Sequence, residues 1–393
     1  QGWEVKKLEE IANIKGGKRL PKGKNLLDNN TKFAYIRVAD FQDNGTINLQ
    51  NIKFINENTY NVLKNYKIYD DNLYISIAGT IGKSGIIPKE LNGAILTENA
   101  VKLEYIQNNI SNKFMYFFTL SNIFKTQIQT STKIVAQPKL AITRLKQIQI
   151  PLPPLKEQER IVGILDESFA KIDESIKILE QDLLNLDELM QSALQKAFNP
   201  LKDNAKENYK LPQSWEWKSL EEISENISAG GDKPKNCTES KTAKNQIPVY
   251  ANGVNNNGLV GYTDKATIIK PSLTISARGT IGFVCIRKEP YFPIVRLISL
   301  IPCENILCLH YLYFCLNFFI AKGEGSSIPQ LTIPKFKSLQ IPLPPLKEQE
   351  QIAEHLDFVF EKAKALKELY TKELKDYEEL KQSLLNKAFK GEL

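Results

Sequence analysis

The sequence QIPLPPLKEQE occurs at residues 149–159 and again, without a single change, at residues 340–350. An identity of this length within one chain marks an internal duplication. The stretch also predicts the start of a helix, because proline suits the first helical turn and glutamate is favoured near the positive N-terminal end. The fold is therefore expected to contain the same helix twice.

The duplication extends beyond this stretch in both directions. QSALQKAF at residues 191–198 returns as QSLLNKAF at residues 382–389, again at an offset of 191. Upstream, WEVKKLEEI at residues 3–11 pairs with WEWKSLEEI at residues 215–223, where the offset is 212. LPQS stands before the second tryptophan, so we expect a few residues to precede Gln1. The upstream segments thus share a plan and differ in their loops.

Each duplicated segment has the apolar spacing of a coiled coil, with intervals of four and three. The seam residues of the first copy are Leu165, Phe169, Ile172, Ile176, Leu179, Leu183, Leu186, Met190, Ala193 and Ala197. The second copy has Lys367 and Lys381 at two seam positions, and we expect its seam to shift there onto Leu366 and Leu380. One stripe of this length cannot be buried alone, so the two helices are predicted to form an antiparallel pair.

The segments before each helix mix short β-like runs, such as residues 35–38 and 73–77, with apolar helical stretches near 114–124 and 309–320. The predicted fold class is α+β, with two α+β domains joined by two long helices that pack as an antiparallel coiled coil in a pseudo-twofold internal repeat. Asn199-Pro200 is predicted to end the first helix and Gly391 the second. The expected boundaries are 1–150 and 212–341 for the α+β domains, 151–200 and 342–393 for the helices, and 201–211 for a polar linker.

Composition excludes several classes of protein. The 393 residues are 42% apolar and 25% charged, which disfavours disorder, collagen and a disulfide scaffold. The longest strongly apolar run, residues 311–320, is too short for a membrane span of about twenty residues. No secretion-like start is seen and the cysteines lie mostly in apolar runs, so a cytoplasmic location is expected. Two histidines and no Cys-x-x-Cys leave neither a metal site nor a histidine-based catalytic site predicted.

Charge separates the two kinds of segment. The net charge is +9 for residues 1–150 and +5 for residues 201–341, whereas it is −5 for residues 151–200 and −2 for residues 342–393. Positive charge on the two non-identical domains fits contact with a polyanion. The repeated helices carry the opposite sign.

The densest basic stretch, KGGKRLPKGK at residues 15–24, places cations on glycines that let main-chain N–H groups approach phosphates. A solvated basic loop is the alternative. Its counterpart is GGDKPK at residues 230–235, and the spacing of the first stretch does not match a Walker A loop. The cations predicted to contact phosphate are Lys15, Lys18, Arg19, Lys22, Lys24, Lys233, Lys235, Lys241 and Lys244.

A few side chains are suited to reading bases. Arg37 and Arg278 could make bidentate contacts to guanine, and Asn252 and Asn255 could read adenine. For the asparagines at 255–257, a turn of residues that tolerate left-handed backbone is an equal alternative. The GTIG segments at 79–82 and 279–282 are predicted to be tight turns, and the aromatic runs near 114–118 and 311–314 to be core.

These features together resemble the specificity subunit of type I restriction-modification systems. The resemblance covers essentially the whole chain, and it is carried by the paired PLPPLKEQE stretches before long helices, by YIRVAD at residues 35–40, IPVY at 247–250 and ARGTIG at 277–282. It implies two target recognition domains that each read half of a gapped DNA site. The first copy has Ala78 before its GTIG turn where the second has Arg278, so an arginine role is not carried over there, and Lys83 is a weak substitute.

The resemblance also implies partners. Two adenine methyltransferase subunits are expected to bind the repeated helices, together with an ATP-driven restriction subunit, and S-adenosylmethionine, ATP and magnesium are expected on those partners rather than on this chain. Identical surface recurs where a chain binds the same partner twice. The predicted partner contacts are Pro154, Leu155, Glu157, Gln158, Pro345, Leu346, Glu348 and Gln349.

Two rival functions stay open from the sequence. One is a stand-alone DNA methyltransferase or nuclease with its own recognition domains, although the methyltransferase signature Asn/Asp-Pro-Pro-Tyr/Phe does not occur in the chain. The other is a protein-only scaffold whose basic domains never touch nucleic acid. A non-catalytic DNA-binding specificity subunit is the interpretation that the repeat and the charge distribution favour together.

Overall fold

A computed structural model of the chain describes residues 2–131, 139–202, 212–320, 323–324 and 331–393. The chain forms two compact units. The first unit comprises residues 1–179 and 372–393, and the second comprises residues 180–371. The proposed linker at 201–211 lies almost wholly outside the described residues.

The first unit alternates short strands and helices before one long helix. Its elements in chain order are β1 Glu4–Lys7, α1 Leu8–Ile11, β2 Ala12–Gly16, β3 Ala34–Ile36, β4 Lys53–Phe54, α2 Glu57–Leu63, β5 Lys67–Ile68, β6 Leu73–Ser76, β7 Ser84–Ile86, β8 Ala94–Leu96, β9 Ala100–Tyr105, α3 Asn112–Leu120, α4 Asn122–Ser131, α5 Ile142–Lys146, β10 Gln149–Leu152 and the long helix α6 Leu155–Lys202, which continues into the second unit.

The second unit has a similar but not identical order of elements. They are β11 Glu216–Ser219, α7 Leu220–Ile223, β12 Ser224–Ala229, β13 Ile247–Tyr250, β14 Leu259–Thr263, β15 Ser272–Ile275, β16 Thr280–Ile281, β17 Val284–Arg287, β18 Phe292–Pro293, β19 Ile298–Pro302, α8 Leu309–Phe319, β20 Gly323–Glu324, α9 Ile333–Lys337, β21 Gln340–Leu343 and the long helix α10 Leu346–Lys390, whose last part belongs to the first unit.

The main sheets of the two units correspond strand by strand, whereas the second sheet has four strands in the first unit, β4-β3-β8-β5, and three in the second, β14-β13-β18. The order β2-β9-β6-β7 in the first unit matches β12-β19-β15-β17 in the second, and both sheets are antiparallel. A second sheet in each unit contains one parallel pair, β3 with β8 and β13 with β18. The strand before each long helix pairs with the first strand of its unit, β10 with β1 and β21 with β11. The duplication is therefore one of topology as well as of sequence.

In each unit the core forms where the four-stranded antiparallel sheet and one apolar helix, α3 in the first unit and α8 in the second, meet the long helices. Phe114 and Phe118 of α3 pack against Phe389 of α10 in the first unit, with ring centroids 5.1 and 5.5 Å apart. In the second unit Phe198 of α6 packs against Tyr311 of α8 at 5.8 Å. Phe198 and Phe389 are separated by the repeat offset of 191, so the same phenylalanine closes both cores.

The long helices run antiparallel within each unit. In the first unit Arg160 donates to the main-chain oxygen of Leu393, while Asp173, thirteen residues later, meets Lys381 at 2.5 Å. In the second unit Asp187 pairs with Lys367, while Leu194 lies in one core cluster with Leu356. The predicted α+β class with two long antiparallel helices is confirmed.

The predicted shift of the second seam onto Leu366 and Leu380 is wrong. These leucines are exposed, at 38% and 45%, whereas the side chains of Lys367 and Lys381 are more deeply placed at 30% and 16%. A lysine can lay its aliphatic stem along an apolar seam and carry its ammonium to a carboxylate on the facing helix. Both lysines are partly buried and meet an aspartate of α6, so the seam keeps these two positions instead of shifting.

The C-terminal ends of the long helices α6 and α10 differ from each other. Helix α6 passes through Pro200 to Lys202, so the prediction that Asn199-Pro200 ends it is wrong. A proline close to a helix end removes only one hydrogen bond, and the tail of a helix tolerates that loss. Helix α10 ends before Gly391 as predicted. Gly391 has φ +75°, and the N–H of Glu392 donates to the oxygen of Lys387, which closes the last turn.

The predicted tight turns at GTIG are present in both units, with positive φ at Gly79, Gly82, Gly279 and Gly282. The aromatic runs are core, as predicted, since Phe114, Phe118, Tyr311 and Phe314 are buried. Within the described ranges, no helix combines the length and the apolar character needed to cross a membrane.

Candidate nucleic-acid interface and partner surface

The repeated PLPPLKEQE stretch is anchored by a buried glutamine. In the first unit the Gln158 side chain accepts from the N–H of Ser111 and donates to the oxygens of Asn109 and Pro153. In the second unit Gln349 accepts from the N–H of Cys308 and donates to the oxygens of Ile306 and Pro344. Each glutamine thereby links the start of a long helix to the start of a helix of its α+β domain, Gln158 to α3 and Gln349 to α8.

This anchoring revises the predicted partner contacts. Gln158 and Gln349 are 1% and 0% exposed and their polar atoms are occupied within the chain, so their side chains are not available to a partner. Pro154 and Pro345 are exposed, and Leu155, Leu346, Glu157 and Glu348 are half-buried. The glutamates also have internal roles, since Arg160 binds both oxygens of Glu157 and the indole N–H of Trp215 donates to Glu348.

The basic loop of the first unit divides into paired and unpaired cations. Lys15 meets Glu104 at 2.5 Å, and Arg19 meets Glu98 at 2.6 Å although the arginine side chain is 79% exposed. Lys18 is exposed with its ammonium 5.8 Å from the Tyr66 ring, and Lys22 and Lys24 are exposed. The last three are the residues of this loop best placed for phosphate.

The two acidic partners are held in their charged form. Partial burial acts to raise the pKa of the Glu98 carboxyl, but hydrogen bonds from Arg19, from its own main-chain N–H and from Thr97 outweigh it and leave the pKa below its usual value. Burial likewise acts to raise the pKa of Glu104, and the hydrogen bonds from Lys102 and Lys15 bring it below the usual value. Both acids therefore neutralise neighbouring cations at physiological pH.

Arg37 is a fixed structural side chain. Its guanidinium binds both oxygens of Asp40, at 3.1 and 2.6 Å, and donates to the oxygen of Asn51 at 3.0 Å. Asp40 is 1% exposed. Reading a guanine would leave that buried carboxylate without its partner, which is costly, so the geometry opposes the base-reading role predicted for Arg37. Lys83, the weak substitute for an arginine, pairs with the exposed Asp43 at 2.8 Å.

The second unit presents its cations differently. Lys233 and Lys235 lie on the loop after β12, and both are exposed. Lys241 lies with its ammonium 5.5 Å from the Tyr262 ring, and Lys244 is 3.9 Å from Asp264. Both of these contacts involve exposed lysines and are easily exchanged for phosphate.

Asn252, a residue predicted to read adenine, has two main-chain partners within the fold. Its side chain accepts from the N–H of Ala277 at 2.8 Å and donates to the oxygen of Val295 at 2.6 Å. Asn255 is exposed at the start of a short 3-10 turn, Asn255–Gly258, where Asn256 and Asn257 have φ of 47° and 52°. That geometry favours the turn interpretation of the asparagine run. Arg278 is exposed on the turn after Ala277.

Sequence reasoning did not single out Arg296, which lies beside these residues. It is exposed on the connection between β18 and β19, and Asn252 joins that connection to the Arg278 turn. Nothing in the local sequence IVRL marks a turn, because it contains no glycine, proline, asparagine or aspartate. No group of three or more metal-binding side chains is found among the described residues.

The comparison with known families agrees with this arrangement. Residues 1–183 and 212–375 match the family described as the type I restriction modification DNA specificity domain. The two matched segments cover most of the chain, so the protein belongs to this family. The predicted resemblance is confirmed, and the family places the chain among the DNA specificity subunits rather than among the catalytic subunits.

Individual relatives carry the same description. A protein of Mycoplasma pneumoniae named as a type I specificity subunit is 29% identical over 357 residues, which is 89% of this chain and 87% of the relative. The EcoBI specificity subunit of Escherichia coli is 31% identical over 164 residues, covering 42% of this chain and 34% of the relative.

Solved structures support the fold. One chain, from a study of complex assembly in a type I restriction-modification system, matches all of this chain and 98% of its own length with a TM-score of 0.81 and 20% identity. The HsdS subunit of Thermoanaerobacter tengcongensis matches with a TM-score of 0.63, also at 20% identity, over 100% of this chain and 97% of that one. At this identity the likeness concerns the fold.

Proposed function

We propose that this chain reads a DNA site in two parts, with one half contacted by residues 1–150 and the other by residues 212–341. The observation that carries the proposal is the contrast between two identical anchoring stretches and two different sets of exposed cations on one shared topology. A reader of two unlike half-sites needs this combination. Lys/Arg contacts to phosphate supply most of the affinity, and a few side chains in each domain discriminate bases.

The repeated helices, residues 151–200 and 342–393, are the proposed seat of two adenine methyltransferase subunits, and through them of a restriction subunit. The same positions of each repeated stretch are exposed, among them Pro154 and Lys156 in one copy and Pro345 and Lys347 in the other. Two identical surfaces fit two copies of one partner. S-adenosylmethionine, ATP and magnesium belong to those partners in this proposal, and the complex acts in the cytoplasm, where its DNA is.

Mapping of methylated adenines tests the two-part site. The chain is expressed with the adenine methyltransferase subunit of the same host, and the modified positions in the DNA are sequenced. The expected result is a motif of two short blocks with a fixed unread gap. Replacing residues 212–341 by the matching segment of a relative should change one block and leave the other and the gap unchanged. A single continuous motif, or a change in both blocks, would overturn the proposal.

Salt dependence tests the role of the basic loop in binding phosphate. In a duplex-binding titration, the double variant K22A/K24A should weaken binding to all sequences alike. It should also reduce the slope of log affinity against log salt by about 0.9 for each phosphate that is no longer neutralised. The matched control is K171A/K177A, which removes two exposed lysines from helix α6. If both variants change the slope equally, or if the wild type shows no salt dependence, the basic loop does not bind the DNA.

A further inference from the structure

We propose that the connection at Val295 and Arg296 is a base-reading tip of the second unit, and that Arg296 recognises a guanine in the half-site which that unit contacts. The inference rests on the proposed function, because it requires the second unit to bind DNA. It adds a specificity-determining residue that neither the sequence motifs nor the family match singles out.

The backbone of this tip is held in an unfavourable conformation. Val295 has φ of 54° and Arg296 has φ of 58°. Positive φ is costly for any side chain other than glycine, and most of all for a β-branched one such as valine. Such a conformation persists only where the surroundings impose it, and it concentrates at sites of function.

The surroundings that impose it are hydrogen bonds to the main chain of the tip. The N–H of Val295 donates to the oxygen of Gly231 and the N–H of Arg296 to the oxygen of Gly230, both at 2.8 Å. Gly230 lies so close that an added Cβ would stand 2.6 Å from the nitrogen of Ile294. The Asn252 amide also donates to the oxygen of Val295. The tip is therefore fixed by its backbone, and its two side chains are left out of the fold.

Both side chains project into solvent. Val295 is 50% exposed, and Arg296 is exposed as well. Within the described part of the chain, no hydrogen bond or ion pair engages the Arg296 guanidinium, in contrast to Arg19, Arg37 and Arg160. The backbone at Arg296 is already fixed before binding, and the guanidinium can contact a ligand without breaking an internal ion pair or hydrogen bond.

The segments tied to the tip carry further cations. Gly230 and Gly231 lead directly into the segment of Lys233, and Asn252 links Val295 to Ala277, the residue before Arg278. Lys233, Arg278 and Arg296 therefore lie on three segments that hydrogen bonds hold together. Cations around a fixed arginine would hold the phosphates that flank the base it reads.

The equivalent tip of the first unit is built in the opposite way. Strand registers align Leu96 with Pro293 and Val101 with Ile298, so Glu98 corresponds to Val295 and Asn99 to Arg296. Neither Glu98 nor Asn99 has a positive φ, and Glu98 is bound to Arg19. The strained conformation is thus not a requirement of the shared topology, which leaves a local role in the second unit to account for it.

Guanine is the base that fits this side chain. Its major-groove edge presents two acceptors, N7 and O6, and the planar guanidinium places two N–H donors at matching spacing. A lysine at the same position carries the charge without that paired geometry. Comparison of alanine and lysine at this position therefore separates reading of the base from contact with phosphate.

The test uses the full chain in complex with its methyltransferase subunits. Duplexes with a randomised site are selected by the wild type, R296A, R296K and K288A, and the bound sequences are compared. K288A is the matched control, since Lys288 is an exposed cation at the far end of β17. Thermal unfolding of each complex verifies that the variants fold.

R296A should lose a guanine preference at one position of the second half-site, by about 5-fold to 150-fold, and leave the first half-site unchanged. R296K should recover the overall affinity but only part of this preference, and K288A should match the wild type. A uniform loss of affinity with the base preference intact, or full rescue by R296K, would overturn the assignment of Arg296. A wild type without any preference in its second half-site would instead overturn the proposed function.

Discussion

The two tips at residues 97–99 and 294–296 stand at the same point of one topology and are built from different chemistry. In the first unit an acid holds a highly exposed arginine, and the cation is neutralised on site. In the second unit the backbone is forced into a left-handed conformation and the arginine is left without a partner among the described residues. The shared sheets fix where the tip lies, whereas its side chains decide what it can bind.

The same division is seen where the long helices meet the α+β domains. The contacts that Gln158 and Gln349 make to the preceding domain are all to main-chain groups, which are present whatever the domain's sequence. Asp166 and Asp357 are another repeated pair, but their partners are the side chains of Lys113 and His310, both at 2.6 Å. The repeated helix thus contributes a constant residue, and where that residue meets a main-chain group the domain is free to change.

The largest effect that this comparison predicts is an equal loss of stability when either core loses its phenylalanine. F389A should lower the free energy of unfolding of the first unit by about 3–5 kcal/mol, and F198A that of the second by a similar amount, because each removes a buried ring from a packed cluster. Urea unfolding measures both. F358A is the control, since Phe358 is 60% exposed on α10. A loss confined to one variant would show that the cores are not equivalent.

Replacement of the anchoring glutamines should have the next largest effect on stability. Q158A and Q349A should each cost about 2–3 kcal/mol, since each leaves a buried N–H and two main-chain oxygens without their side-chain partner. Urea unfolding again provides the measurement, with E159A and E350A, at the exposed positions that follow, as matched controls. Clearly unequal losses for the two glutamines would mean that the anchors depend on the sequence of the domain.

The tip of the second unit should gain stability when its strain is removed. V295N should raise the free energy of unfolding by about 1 kcal/mol, because asparagine tolerates positive φ far better than valine and the valine is half exposed. V254N is the control, since Val254 is similarly exposed at 47% but has φ of −91°. Thermal unfolding compares the two, and a gain in V254N as large as in V295N would remove strain as the cause.

The tip of the first unit should show a small dependence on pH. The pKa of Glu98 is lowered on folding, so its ionised form adds stability above the usual value of about 4.5 and this stability is lost as the pH falls through the lowered value. The wild type should exceed E98Q by a few tenths of a kcal/mol at pH 7, since its partner Arg19 is exposed. A difference that persists well below pH 4 would assign the effect to packing.

The sequence predicts the duplicated segments of the fold and the helices whose apolar residues recur at a regular spacing. The duplicated stretch, the heptad seam, the glycine turns and the aromatic cores are all recognisable because each is a local pattern. Lys367 and Lys381 mislead the prediction because a polar residue in a seam indicates a break unless the facing residue is known, and Asp187 and Asp173 face them from another helix.

The candidate interface is less predictable for the same reason. A list of cations does not tell which ones the fold already engages, and Arg37 is held by Asp40 and by a main-chain oxygen distant in sequence. The Val295–Arg296 tip gives no signal at all. Its conformation is imposed by Gly230, Gly231 and Asn252, which come into contact with it only after folding.

The first unit includes residues 372–393, which the ribosome makes after the whole of the second unit. During synthesis Phe114 and Phe118 therefore cannot complete their packing until Phe389 has been made. The second unit is contiguous in sequence and can complete its packing earlier. The order of completion is then the reverse of the order of the sequence. A stop codon some twenty residues before Leu393 would accordingly damage the half of the protein that is made first.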